Sequence, residues 1–185
     1  FATLDTFLDY SGGASVAPAA IFVHLAGIHR GPEGYQPPLF DVKEAATACA
    51  IFSYLVHIIR DFQKDQLNNL NYFADDILAK HGLSRTDLAL IARGAPVTPG
   101  FRAMIAEYRN LADIYRIKTF ECIKNIWPYL EPRYQLSLEI IFELYVMVFE
   151  RIYPETGAFT AEELNPTPAE SRQRVLKTIM NSKTL

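Results

Sequence analysis

Residues 41–65 read DVKEAATACAIFSYLVHIIRDFQKD, and the period of this stretch decides the fold class. Apolar residues recur at steps of three and four, which puts them on one face of an α-helix. Asp41 has the short acceptor side chain of an N-cap and Glu44 stands three residues on, at the capping-box position, so a helix is predicted from Asp41 to about Asp65. The same period continues outward in both directions. Upstream it predicts a helix from about Thr3 to Ile28, with Pro18 as the place for a kink. The segment His29 to Pro38, which contains Gly31, Pro32, Gly34 and Pro37, is a loop.

Downstream, Asp75 to His81 forms a short helix ended at Gly82, and Ser84 caps Arg85 to Ala92 with Asp87 completing the box. Thr98 caps a long helix that has Pro99 at its first position and runs to about Trp127. Another runs from Pro132 to about Tyr153, with Ile141, Leu144, Tyr145, Val148 and Ile152 on its apolar face. Runs of alternating polarity bounded by turn signals are missing, so the chain is all-α. Residues 1–155 make the helical core, and residues 156–185 make a polar C-terminal tail with one short helix from Ala169 to Asn181, docked or frayed.

Length and charge narrow the function classes. At 185 residues one hydrophobic core is the default, and with 50% apolar and 21% charged residues the chain should fold. A net charge of −3 offers no positive field for a phosphate backbone, which excludes nucleic acid as a partner. Cys49 and Cys122 lie in apolar helical stretches without metal-type spacing, and are read as buried thiols in a reducing, cytoplasmic compartment. The longest apolar stretches are broken by His24, His29 and Arg30, or by Arg60 and Asp61, so no bilayer span is predicted, while peripheral membrane contact is left open.

Chemistry concentrates in Ser53 to Asp65. Asp61 and Asp65 are four residues apart, so on a helix they lie about 40° from each other and one turn apart. Continued backwards, their face carries His57, Tyr54 and Ala50. Two carboxylates so placed suit Mg²⁺, which takes hard oxygen ligands and bridges protein carboxylates to substrate phosphates, so a diphosphate substrate follows. The plain alternative is a chance DxxxD on an exposed helix end. The synthase reading requires the pair to face an apolar hollow. His57 suits a base, a diphosphate ligand or a structural imidazole. Phe22, Phe52, Phe62, Tyr72, Tyr145 and Phe149 are candidates for an aromatic wall around a carbocation, with core packing the commoner fate of each.

The stretch Ile58 to Leu83, IIRDFQKDQLNNLNYFADDILAKHGL, resembles the second aspartate motif of squalene and phytoene synthases: an apolar run into RDxxxD, a polar linker, an aromatic residue, a short helix and Gly-Leu. The helix with Tyr10 followed by Ser11, Gly12, Gly13, Ala14 and Ser15 is similar to the family's Tyr-plus-small-residue helix, and Leu144-Tyr145 to its last core helix, so the likeness covers roughly residues 3–155. The resemblance implies the C-terminal part of an isoprenoid-synthase-type helical bundle that joins two isoprenyl diphosphates head-to-head. It implies that Asp61 and Asp65 bind Mg²⁺ and diphosphate, that Arg60 supports that site, and that Tyr10 and Tyr72 face the reacting carbons; Lys64, His57 and Tyr54, on the same stretch, are further substrate-binding candidates. A reductive step with NADPH is left open, with no feature pointing to it.

The family's first aspartate motif is not among these residues, and the resemblance assigns it to an upstream segment or a second chain. Asp5 and Asp9 share the four-residue spacing but stand directly before Tyr10, and are read as a helix-start face. Tyr54 and His57 stand where the family usually shows Gln and Asn, Gln66 to Asn71 replace an Arg-rich linker, and Val146 stands where Arg often follows Leu-Tyr. Head-group neutralisation then rests on metal, Arg60 and Lys64. A catalytically silent relative that holds a lipid or a protein is the alternative function, and an interaction protein without a cleft is a third.

Overall fold

The computed structural model describes residues 1–182, so the last three positions of the 156–185 tail lie outside the described residues. Ten α-helices are found among them: α1 (Leu4–Ser11), α2 (Ala17–Gly27), α3 (Val42–Arg60), α4 (Phe62–Leu67), α5 (Asp75–Lys80), α6 (Arg85–Ala92), α7 (Pro99–Ile126), α8 (Pro132–Phe149), α9 (Ala161–Leu164) and α10 (Pro168–Ser182). The all-α expectation holds. The only sheet among the described residues is a two-strand hairpin, β1 (His29–Gly31) with β2 (Gly34–Gln36), inside the segment expected to be a plain loop. Gly34 there has φ +113, which lets the chain reverse in two residues.

Helix α3 is the axis of the molecule: α7 packs most extensively against it, with α2 and α8 along other faces. Its length and composition would suffice to cross a bilayer, yet half of it is buried inside this bundle. The expected helix from Thr3 to Ile28 is one rod in two α-segments, joined by a π-helical turn over Gly12–Val16. The Ala17 amide bonds the Gly12 carbonyl five residues back. Pro18 lacks an amide hydrogen and its ring presses on the preceding turn, so the irregularity appears as a widened turn upstream of it.

Helix ends follow the capping chemistry. Ser84 and Asp87 form a reciprocal box, and Thr98 accepts from the Phe101 amide. At the end of α5, Leu83 donates to the Leu78 carbonyl at 2.9 Å and Gly82 to Ala79 at 3.1 Å, with Gly82 at φ +65; this is a Schellman closure. Helix α4 ends the same way, with Asn69 at φ 58 in the left-handed position and the Leu70 amide on the Asp65 carbonyl.

The main core joins α3, α4, α5, α6, α7 and α8 through Phe52, Phe62, Phe73, Phe101 and Tyr108, all nearly solvent-free. Residues beyond 155 also enter it: Phe159 packs on Phe101 with ring centroids 5.2 Å apart, and Leu164 is buried. The final helix is docked, since α10 lies along α8 with Arg174 paired to Glu143 and Glu150, and Arg151 to Glu170.

The Tyr108 hydroxyl accepts the buried Ala74 amide at 2.9 Å. Tyr108→Phe is expected to leave that amide unpaired and cost about 1–3 kcal/mol, measured by urea unfolding at pH 8. Burial pushes the phenol from 10.0 up to about 12. As pH rises past 10 the unfolded chain loses this proton while the folded chain keeps it. The stabilisation is therefore complete below pH 10 and lost towards 12, and Tyr108→Phe should flatten that alkaline loss.

Candidate active site

The two aspartates lie across a break in the predicted helix. Asp61 ends α3 and precedes α4 with φ −91 and ψ 6, outside the helical basin. The hydrogen-bonded path survives: the Asp61 amide donates to the His57 carbonyl at 2.9 Å and the Asp65 amide to the Asp61 carbonyl at 2.8 Å. The pair therefore stays one turn apart. The break also allows a contact between sequence neighbours that a regular helix forbids. Arg60 grips Asp61 with both arms, Nε to Oδ1 at 2.7 Å and Nη2 to Oδ2 at 3.1 Å.

His57 completes this cluster. Its Nδ1 stands 2.7 Å from Arg60 Nη2 and its Nε2 stands 3.4 Å from Asp61 Oδ2. Guanidinium has only donors, so Nδ1 accepts and the proton sits on Nε2, turned towards the carboxylate. Burial lowers the His57 pKa, and the Arg60 charge adds to this against the pull of Asp61. For Asp61, burial acts upwards, but the Arg60 hydrogen bond and charge outweigh it and hold the carboxyl below the usual range. Asp65 is shifted the other way, first by burial and then by the Asp61 charge. No side-chain hydrogen bond engages Asp65 among the described residues. Lys64 is exposed, near enough to act on both carboxylates through its charge.

Beside the carboxylates, Tyr54 is the hub of an aromatic group. Tyr10 and Tyr72 each stand 6.3 Å from its ring, Phe7 stacks on it at 5.5 Å, and His57 lies nearly parallel at 6.3 Å. Burial, with Tyr10 and Tyr72 as neighbours, keeps the Tyr54 phenol protonated far above its usual range. The structure thus brings Tyr10, Tyr54, Tyr72, His57, Arg60, Asp61 and Asp65 into one neighbourhood. Asp5 and Asp9 are exposed on α1, and neither makes a side-chain hydrogen bond or ion pair with these residues.

An apolar cavity of about 240 Å³ lies between α2, α3, α7 and α8. Small residues on one face of α3, Ala45, Ala46, Cys49, Ala50 and Ser53, leave room for it. Ser15, which also lines the cavity, donates to the Ala50 carbonyl at 2.9 Å, a close approach of the small-residue turn to α3. The expectation that the pair faces an apolar hollow is not met: Asp61 and Asp65 are not among the residues that line this cavity. Its lining stops at Ser53, eight residues and so about 12 Å of helix rise before Asp61. Tyr145 links the two regions, since it borders both the cavity and an open cleft of about 400 Å³, lined by polar and apolar residues alike, that reaches Arg60. Of the candidate aromatic wall, Phe22 and Tyr145 line the cavity and Tyr72 joins the tyrosines, whereas Phe52, Phe62 and Phe149 are core residues. The α3 small-residue face was the part of the region missed in the sequence; the run AATACA at residues 45–50 was its signal.

Among the described residues no group of three or more His, Cys, Asp or Glu side chains is gathered closely enough to hold a metal by itself. Mg²⁺ commonly uses only one or two protein carboxylates, with water and substrate phosphates for the rest. Asp61 and Asp65, hard oxygen donors a turn apart, fit that share of the coordination.

An all-α fold of this kind, with a carboxylate pair beside tyrosines, is what members of one family of isoprenoid-biosynthesis transferases, which bind prenyl diphosphates, are built on. The squalene/phytoene synthase family profile matches residues 1–175, and the chain belongs to that family. The match runs beyond the 3–155 likeness read from the motifs, through α9 and into α10. No curated protein matches the chain.

Proposed function

We propose that the protein joins two isoprenyl diphosphates head-to-head with loss of diphosphate. The observation that carries this reading is the apolar cavity along α3, whose lining ends about two turns before Asp61 and about three before Asp65, with tyrosines beside the carboxylates. Asp61 and Asp65 would hold Mg²⁺, which when bound supplies the charge that lets diphosphate leave. Arg60 exchanges its carboxylate for phosphate oxygens, and Lys64 approaches from the exposed side. Tyr10, Tyr54 and Tyr72 present neutral ring faces to positive charge on the prenyl carbons. The cavity keeps the hydrocarbon away from water.

Incubating the native polypeptide with farnesyl or geranylgeranyl diphosphate and Mg²⁺ is expected to give free diphosphate and a coupled hydrocarbon. Failure to release diphosphate overturns the synthase reading. One observation favours a second reading, a silent relative that only holds a lipid: both Asp61 oxygens are already taken by Arg60. In that case prenyl lipid binds, no diphosphate is released, and Asp61→Ala leaves the biological role intact.

A further inference from the structure

The apolar cavity and a shallower hollow of about 150 Å³ meet at the same two residues, Ala45 on α3 and Ile126 at the end of α7. The second hollow has a different character: Asp41, Glu44 and Asn125 line it. Ala45 is 9% and Ile126 6% exposed, so they form a thin wall between an apolar interior and a polar dimple. The lining from Ser53 to Ala45 follows eight residues of α3, about 12 Å of rise, leading away from the carboxylates. A hydrocarbon chain whose head group sits near Asp61 and Arg60 has to pass the two turns from Asp61 to Ser53, alongside Tyr145, before its end runs towards this wall.

We infer that Ala45 and Ile126 set the length of hydrocarbon chain the protein accepts. This rests on the reading of the cavity as the site of a prenyl tail. The small Cβ of Ala45 leaves the last stretch of the cavity open, and a larger side chain there fills it. The Ile126 side chain is the plug: cutting it back joins the cavity to the dimple. Chain ends that now stop at the wall would then pass through it, at the cost of meeting the acidic lining beyond.

The test measures binding of a series of unbranched alkyl diphosphates of increasing length to the native polypeptide, by calorimetry, with no turnover required. For the wild-type protein affinity is expected to rise with each added methylene, about fourfold, and then to level off at one length. Ala45→Leu moves the plateau to shorter chains and weakens the longest chain roughly tenfold or more. Ile126→Ala moves the plateau to longer chains. The two shifts are opposite, and circular dichroism with a thermal melt confirms that each variant folds. If one variant fails to fold, the other still decides, with Ala45→Val and Ile126→Val as milder replacements. A plateau at the wild-type length in folded variants on both sides of the wall overturns the inference and leaves the synthase reading standing. If the wild-type protein shows no dependence on chain length, the cavity does not hold the tail, and both fall.

Discussion

Asp61→Asn is expected to lower Mg²⁺-dependent diphosphate release by about 10²- to 10³-fold, the scale on which one preorganised electrostatic group acts. Asparagine keeps the size of the side chain and one acceptor for Arg60 but removes the negative charge. Charge is what the proposed role requires, since an amide oxygen is a far poorer partner for a divalent cation next to diphosphate. Asp61 is the more telling of the pair because its carboxyl is held ionised by Arg60, while Asp65 is shifted upwards by burial and by its neighbour. Asp5→Asn serves as the control: it has a partner acid four residues away, is exposed, and stands in the first turn of α1, more than a turn before Tyr10, so it should leave release unchanged. Steady-state assays of diphosphate release at saturating Mg²⁺ measure both. An Asp61→Asn protein that keeps a tenth or more of the activity would remove this carboxylate from the head-group site.

Phe101→Ala is expected to destabilise the fold by about 3–5 kcal/mol, the usual cost of emptying an aromatic position in a packed core. Phe101 is fully buried in the first turn of α7 and packs on Phe62 of α4 and Phe159 of the tail, with ring centroids 4.9 and 5.2 Å away. The hole would lie behind the segment that carries Asp65. Guanidinium unfolding followed by far-UV circular dichroism should show a lower midpoint with little change in slope. A loss under 1 kcal/mol would mean that neighbouring rings close the gap. Phe159→Ala should then be similarly mild.

These two positions also show what could be read in the sequence. The carboxylate pair follows from spacing alone, because four residues make one turn whether or not the rest of the fold is known. The caps at Ser84, Thr98 and Asp41 and the stop at Gly82 were legible for the same reason: the groups concerned lie within a few residues. Arg60 on Asp61 was not legible. Adjacent residues on a regular helix diverge, and only the backbone departure at Asp61 turns them together. The tail read as polar because its few apolar residues are isolated, yet Phe159, at φ 58, reaches the core by a turn that pattern does not reveal. The tyrosine group is likewise tertiary, since Tyr10, Tyr54 and Tyr72 come from three separate segments.

The π-helical turn at Gly12–Val16 has a consequence for the angle at which the first rod meets α3. A widened turn amounts to one surplus residue, and each residue on a helix is about 100° of rotation. That surplus fixes the azimuth of Tyr10 relative to Ala19, Phe22 and Val23, which look into the cavity from the far half of the rod. Deleting Gly13 would restore the ordinary pitch and dial the two halves out of phase. Tyr10 could no longer approach Tyr54 while Phe22 kept its place, so a lone residue acts as the timing notch between aromatic cluster and hydrocarbon chamber.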